Sequence, residues 1–154
     1  MTREELKSTA MAMRKRAYCP YSHFAVGAAL ECRDGTVFTG CNIENAGYSP
    51  TICAERTAVA KAVSEGHTDF VRIAVAGGGD NFCVPCGVCR QVLQEFAPDL
   101  EVICLNEQGQ ELTLSLRELL PHGFDRSFLP QESLQNPQRK TSPDADLASG
   151  LADF

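Results

Sequence analysis

The sequence contains no tryptophan, few aromatic residues and no long apolar run. Aromatic residues make up 7% of its 154 positions, and tryptophan is absent. No segment approaches the roughly 20 consecutive apolar residues that a membrane-spanning helix needs. The N-terminal segment also lacks an unbroken apolar stretch of signal-peptide length. We therefore expect a soluble, cytoplasmic protein that has no membrane partner.

Positive charge is also scarce. Fourteen Lys and Arg residues stand against 20 Asp and Glu, which gives a formal net charge of -6 and a pI near 5.0. A nucleic-acid groove needs a basic surface to offset phosphate charge, and single strands are commonly held on aromatic side chains. The sequence therefore predicts no nucleic-acid partner, and a small neutral or cationic ligand fits its charge better.

Histidine is rare and scattered, whereas cysteine is abundant and clustered. The chain has three histidines and eight cysteines, and "CVPCGVC" at 83–89 contains two overlapping C-x-x-C spacings. Without an export signal, such cysteines are expected to be reduced and to bind metal or do chemistry. A structural zinc site takes four protein ligands, commonly with a second C-x-x-C or H-x-x-H pair, and this sequence has no such pair. A catalytic site takes only three protein ligands and a water.

Hydrophobic periodicity predicts the element order α-β-β-α-β-α-β-β-α, which indicates a mixed sheet between helices in the α/β class. Helices are predicted over 2–16, 53–66 and 86–96, with a short one after Ser115. Strands are predicted within 24–40, around an Asp34-Gly35 turn, and within 70–78 and 101–114. The stretch 131–154 is rich in Ser, Pro, Gln and Asp, so we expect a catalytic domain over 1–130 and a disordered tail.

Three cysteines stand where helices are predicted to begin. Cys86 and Cys89 open one helix and Cys53 opens another. Unpaired backbone N–H groups and the positive end of the helix dipole favour thiolates at such positions. One thiolate from the second helix would complete a three-ligand catalytic zinc site.

The tripeptide "CAE" at 53–55 and "PCGVC" at 85–89 together resemble the zinc-dependent nucleoside deaminases. The blocks "PYSHFAVGAAL", "GCNIENAGYSPTICAERTAVAKAVSEG", "PCGVCRQVLQEF" and "ELLPHGF" are similar to the small homotetrameric cytidine deaminases with an all-cysteine zinc site. The resemblance covers most of residues 18 to 124. It implies a three-layer α-β-α fold with a mixed five-stranded sheet and a homotetramer with shared active sites.

The same resemblance assigns the chemistry. One Zn²⁺ per subunit would be held by Cys53, Cys86 and Cys89, and Cys83, which no proline precedes, would stay free. Zinc-bound hydroxide would attack C4 of cytosine, with Glu55 carrying the proton from the water to N3. Cytidine and 2′-deoxycytidine would become uridine and 2′-deoxyuridine with release of ammonia. Arg56 would donate hydrogen bonds to ligand sulfurs, the alternative being an ordinary surface cation.

Five further residues are implied as the substrate site. Phe24 would pack against the pyrimidine ring, although an apolar residue on a predicted strand is as often part of the core. Asn42 and Glu44 would hold ribose hydroxyls, or simply be solvated loop residues. Ala54 would also contact the nucleoside. Phe124 would enter a neighbouring subunit's site, the alternative being ordinary core.

Three other functions compete with cytidine deamination. A polynucleotide-editing deaminase is disfavoured by the acidic charge and the lack of tryptophan. A non-catalytic zinc module would need Cys83 as its fourth ligand and would leave Glu55 idle. A deaminase of a nucleoside antibiotic such as blasticidin shares "CAE" and the P-C-G-x-C-R-Q motif, but "NIENAGY" and "ELLPHGF" favour cytidine.

Overall fold

A computed structural model describes residues 1–130 of the chain. The tail predicted over 131–154 lies outside the described residues. The chain divides into two compact units, Met1–Gly123 and Phe124–Phe154. All the strands and α-helices described below belong to the first unit. Among the described residues, no helix combines the length and apolarity needed to cross a membrane.

The predicted order of helices and strands is confirmed. The α-helices are α1 (Arg3–Met13), α2 (Ala54–Ser64), α3 (Gly87–Phe96) and α4 (Leu116–Leu119). The strands are β1 (Gly27–Cys32), β2 (Val37–Cys41), β3 (Phe70–Ala76), β4 (Glu101–Leu105) and β5 (Glu111–Ser115). The first helix is shorter than predicted, because Arg14–Arg16 tighten into a 3₁₀ turn. Such turns commonly satisfy the free carbonyl groups of a helix end.

The five strands form one mixed sheet in the order β2-β1-β3-β4-β5. β3 and β4 run parallel, and every other neighbouring pair is antiparallel. The β1–β2 turn places Gly35 at φ 87°, and the β4–β5 turn places Gly109 at φ 75°. Both turns need the left-handed conformation that glycine adopts without steric cost. The chain therefore reverses between β1 and β2 at the predicted Asp34-Gly35 turn.

Helices cover both faces of the sheet, which confirms the three-layer fold. On one face, Leu6 and Ala10 of α1 pack on alternate strand residues, namely Ala29, Ala74, Ala76, Ile103 and Leu105. The intervening residues pack on the other face against α2 and α3, and these include Ala28, Leu30, Ile73, Val75, Val102 and Cys104. Two glycines allow the close packing. A Cβ on Gly27 would lie 2.1 Å from the Ala10 carbonyl oxygen, and one on Gly40 would lie 2.1 Å from that of Ala54.

The prediction that the first strand includes Phe24 is wrong. β1 begins at Gly27, and the side chain of Asn42 bonds the backbone before it. Its Nδ2 donates to the Phe24 carbonyl at 2.8 Å, and its Oδ1 accepts the Val26 N–H at 2.8 Å. A side-chain amide thus replaces the partner strand, so the segment leaves the sheet as a loop. The Phe24 side chain is 45% exposed and is not part of the core.

Candidate active site

The N-terminal ends of α2 and α3 bring three cysteines together. Cys53 and Cys86 are the residues that precede these helices, and neither side chain caps its own helix. Their sulfurs lie 3.8 Å apart, although 33 positions separate them in the sequence. Cys89, buried in the first turn of α3, completes a group whose three sulfurs lie within 4.8 Å of one another.

The spacing of these sulfurs fits a zinc ion. Two sulfurs at about 2.3 Å from a tetrahedral zinc would be about 3.8 Å apart. This expected separation matches the observed distance between Cys53 and Cys86. The three-cysteine group also agrees with the donors that zinc prefers, and it leaves the fourth tetrahedral position open for a water. Cys83 is not a member of this group.

Arg56 faces the sulfur cluster instead of lying on the surface. Its Nη2 donates to Cys53 Sγ at 3.4 Å, and its Nε is buried without a hydrogen-bond partner among the described residues. A hydrogen bond from Cys89, supported by Arg56, lowers the pKa of the Cys53 thiol to about 5. Pairing with Cys53 in turn raises the pKa of Cys89. The hydrogen bonds within the cluster therefore stabilise a thiolate at Cys53 in the absence of metal.

Glu55 is a buried carboxyl group beside the three sulfurs. It is the second residue of α2, and only 4% of it is exposed. Burial, followed by the negative charge on Cys53, raises its pKa to about 7. A group with a pKa near the operating pH is suited to both accept and donate a proton. The first turn of α2 thus places a proton carrier next to a metal-binding group.

Cys83 lies near this site but in a different environment. A Cβ built on Gly77 would lie 2.9 Å from Cys83 Sγ and 2.9 Å from the tip of the Phe24 ring. The three residues therefore meet at the end of β3. Burial raises the pKa of the Cys83 thiol to about 12, and the charge of Glu55 contributes. Cys83 is consequently a neutral thiol in the wall of the site.

Asn42 and Glu44 hold two loops in place. Asn42 is 9% exposed. One N–H of its side-chain amide donates to the Phe24 carbonyl, and its amide oxygen accepts the Val26 N–H. Oε1 of Glu44 accepts the backbone N–H groups of Tyr21 and Ser22 at 3.0 and 3.1 Å. Hydrogen bonds from Ser22, and then from Tyr21, lower the pKa of Glu44. Neither residue is a free, solvated loop side chain.

Ala54 and Phe124 complete the predicted set of site residues. Ala54 is fully buried in the core at the start of α2, where its methyl group packs with the sheet. Any contact of this residue with a ligand would therefore involve its main chain. Phe124 belongs to the second unit, where its ring stacks on Phe128 at a centroid distance of 5.0 Å. The Phe124 side chain is 56% exposed.

Arg90 is a positioning residue that the sequence reasoning missed. Its Nε donates to the Pro85 carbonyl at 2.7 Å, and its Nη1 donates to the Leu119 carbonyl at 2.7 Å. These bonds fix the loop that carries Cys86 and tie it to α4. The available signal was the arginine directly after Cys89, since metal ligands are commonly oriented by neighbouring hydrogen bonds.

A three-layer α/β fold with three clustered cysteines and a buried carboxyl group at two helix N-termini defines a zinc-dependent hydrolytic enzyme of the deaminase class. Residues 1–105 match the profile of the cytidine and deoxycytidylate deaminase zinc-binding region. The chain belongs to the cytidine deaminase family.

Individual relatives agree with this assignment. A cytidine deaminase of Halalkalibacterium halodurans is 50% identical over 80% of this chain and 95% of its own. A probable cytidine deaminase of Dictyostelium discoideum is 45% identical over 88% of this chain and 95% of its own. The crystal structure of cytidine deaminase from Burkholderia pseudomallei superposes with a TM-score of 0.78, at 48% identity over 80% of this chain and 100% of that one.

Proposed function

We propose that this chain catalyses the hydrolytic deamination of cytidine and 2′-deoxycytidine to uridine and 2′-deoxyuridine, with release of ammonia. The observation that carries the proposal is the buried Glu55, with a pKa near 7, beside three cysteines spaced for zinc. Zinc held by Cys53, Cys86 and Cys89 supplies Lewis-acid activation of the water that hydrolysis consumes. A non-catalytic zinc module would need Cys83 as fourth ligand, and that thiol lies outside the group.

Glu55 carries the protons of this reaction. In its ionised form the carboxylate accepts the proton of the attacking water, and in its protonated form it delivers that proton to N3 of the pyrimidine. It then assists the departure of ammonia. Burial suits both steps, because a pKa raised to about 7 leaves either form accessible near neutral pH.

Substrate recognition falls to the two loops joined by Asn42 and Glu44. Among residues 1–130, after its two backbone bonds Asn42 retains one N–H, and Glu44 retains Oε2. These groups bind the ribose 3′-hydroxyl, which cytidine and 2′-deoxycytidine share. The exposed ring of Phe24 packs on the base, and the main chain of Ala54 at the start of α2 borders it.

Free cytosine is the test substrate for this assignment, because it lacks the ribose. A site built to hydrogen-bond a hydroxyl rejects an analogue without it by up to about 10⁴–10⁵-fold. We expect Glu44→Ala to lower kcat/KM on cytidine and to leave the slow reaction on cytosine nearly unchanged. Glu65→Gln, on an exposed residue of the same unit, is the control. Equal efficiencies of the unmodified enzyme on cytosine and cytidine would contradict the role of these loops.

We also propose a homotetramer in which subunits share active sites. Four large side chains on the loops beside the site are exposed by 43–75%, namely Tyr18, Tyr21, Ile43 and Tyr48. Tyr18 pairs with Ile43, and the rings of Tyr21 and Tyr48 lie 6.3 Å apart. Large exposed side chains grouped on neighbouring loops are typical of an interface. Phe124 supplies an aromatic ring to a neighbouring subunit's site.

Mixing two defective variants tests the shared site. Glu55→Gln removes the proton carrier, and Phe124→Ala removes the ring that we assign to the neighbour. Hybrid oligomers should regain activity, because an intact Glu55 then meets an intact Phe124 across a subunit boundary. Light scattering reports the oligomeric state. A fully active monomer, or no recovery after subunit exchange, would contradict the shared site.

The reaction requires reduced cysteines at the zinc site. All eight cysteines are free thiols in the structure. Three thiolates that must stay reduced fit a compartment with a reducing thiol pool. We therefore assign the activity to the cytoplasm, where pyrimidine nucleosides are salvaged.

A further inference from the structure

A second group of metal-ligand side chains lies at the other end of α2. Cys32 ends β1, Asp34 is in the turn to β2, and His67 follows the C-terminus of α2. One sulfur, one carboxylate oxygen and one imidazole nitrogen lie within 4.8 Å of one another. The 11-residue helix α2 separates this group from the cysteines at its N-terminus by about 16 Å. The two groups are therefore independent.

The spacing of this second group also fits zinc. His67 Nδ1 and Asp34 Oδ2 lie 3.2 Å apart. A nitrogen and an oxygen at roughly 2.0–2.2 Å from a tetrahedral zinc would be about 3.3 Å apart. Cysteine, aspartate and histidine are all common zinc ligands, and three of them leave one position for water. A thiolate, a carboxylate and a neutral imidazole would balance the charge of Zn²⁺.

The surrounding structure holds the ligands in place. Asp34 Oδ1 accepts the Thr36 N–H at 2.9 Å, which turns Oδ2 toward His67. The His67 ring packs against Phe38 at a centroid distance of 5.1 Å, and its backbone N–H bonds the Ala62 carbonyl at 2.9 Å. Hydrogen bonds from neighbouring groups commonly orient metal ligands in this way.

The location favours a cation and leaves room for it. A surface depression of about 430 Å³ is lined by Cys32, Asp34 and His67 among other residues. The C-terminus of α2 points its negative dipole end toward this region. The neighbouring cation, Arg33, is paired with Asp69 at 2.8 Å. No other charge in the depression opposes a metal ion, within the part of the chain that the structure describes.

We propose that Cys32, Asp34 and His67 form a second zinc site, separate from the catalytic one. Zinc there would join the β1–β2 turn to the end of α2 and stabilise the fold without taking part in the reaction. The catalytic site accounts for one zinc per chain, so the full chain would hold two.

Metal content measured on the whole protein tests this inference. Protein equilibrated with micromolar ZnCl₂ and then gel-filtered should contain two zinc ions per chain by mass spectrometry. His67→Gln and Asp34→Asn should each contain one and deaminate cytidine at the unmodified rate. The matched controls His122→Asn and Asp80→Asn, which alter residues outside both the group and the depression, should keep two. Cys32→Ala should also contain one zinc ion. Because Cys32 is buried, this change could impair folding, and in that case His67→Gln and Asp34→Asn decide the test.

A thermal melt gives a second readout that does not depend on activity. When ZnCl₂ is added to protein that holds only the catalytic zinc, the Tm of the control variants should rise more than that of His67→Gln, because only the controls gain the second ion. A single zinc per unmodified chain would overturn the inference, and so would two zinc ions in His67→Gln. Neither result would affect the proposed catalytic function, which requires only the first zinc.

Discussion

Replacing Glu55 by glutamine should sharply reduce the activity of the zinc-loaded enzyme while making the zinc-free protein more stable at neutral and higher pH. The carboxyl group is 4% exposed, and burial raises its pKa from 4.5 to about 7. The folded state therefore binds the proton more tightly than the unfolded state does. Protonation of Glu55 therefore favours the folded state. This contribution to the free energy of unfolding is fully present below about pH 4.5 and is lost as the pH rises through about 7. Glutamine has the same shape and carries no charge at any of these values.

The pKa difference sets the size of the effect. One pKa unit corresponds to about 1.4 kcal/mol, so the shift of Glu55 amounts to roughly 3 kcal/mol at pH 8, where the carboxylate is ionised in both states. At pH 5 the folded state is protonated and the unfolded state is only partly ionised. The difference between the two proteins should then fall below about 1 kcal/mol.

Urea unfolding in the presence of a zinc chelator measures this difference at a fixed protein concentration. Glu55→Gln and the unmodified protein are compared at pH 5 and pH 8, with Glu65→Gln as a control on an exposed carboxylate beside the same helix. The control should match the unmodified protein at both values. In zinc-loaded samples, Glu55→Gln should lose at least about 10²–10⁴-fold in kcat, as expected for removal of a general acid and base.

Two results would refute this reasoning. A stability difference that is the same at pH 5 and pH 8 would show that the charge of Glu55 carries no burial cost. Near-normal turnover by zinc-loaded Glu55→Gln would show that another group carries the proton. The two measurements are independent, because one uses metal-free protein and the other uses the loaded enzyme.

Three further predictions concern the framework of the site. Cys53→Ser should lose the catalytic zinc and Cys83→Ser should keep it, and metal analysis showing the reverse would overturn the ligand assignment. Gly40→Ala should destabilise the fold by about 1–3 kcal/mol and reduce activity, because its Cβ would lie 2.1 Å from the backbone of α2. Gly87→Ala, where a Cβ has open space, should retain its stability in the same urea assay. Asn42→Ala should cost about 2 kcal/mol or more, because two backbone groups lose their partner. Unchanged stability of Asn42→Ala would show that these two hydrogen bonds do not stabilise the fold.

The predictions from sequence succeeded where the cause was local. Two of the predicted helices begin at capping boxes whose partners lie three positions apart, Thr2 with Glu5 and Ser115 with Glu118. Turn glycines, alternating strand residues and helical spacing identified the elements because each signal lies within a few neighbouring positions. The prediction for Phe24 was wrong because the group that ends the strand there, Asn42, is distant in the sequence.

The sequence by itself determined which residue types are available for chemistry. It contains a C-x-x-C pair after proline, a cysteine two residues before a glutamate, and helix starts that favour thiolates. The cysteine spacing alone left open whether Cys83 joins the cluster, because the two C-x-x-C spacings overlap, and the family resemblance predicted that it stays free. The fold separates these thiols by packing Cys83 against Gly77 and Phe24, apart from the group that α2 and α3 bring together.

Only the tertiary structure decided distance and burial. The 3.8 Å between Cys53 and Cys86, and the 3.2 Å between Asp34 and His67, arise where separate elements meet. The raised pKa of Glu55 likewise depends on the layers that exclude water from it. A sequence specifies local conformation through neighbouring residues, whereas metal geometry and desolvation depend on side chains that only the packed sheet and helices bring within contact.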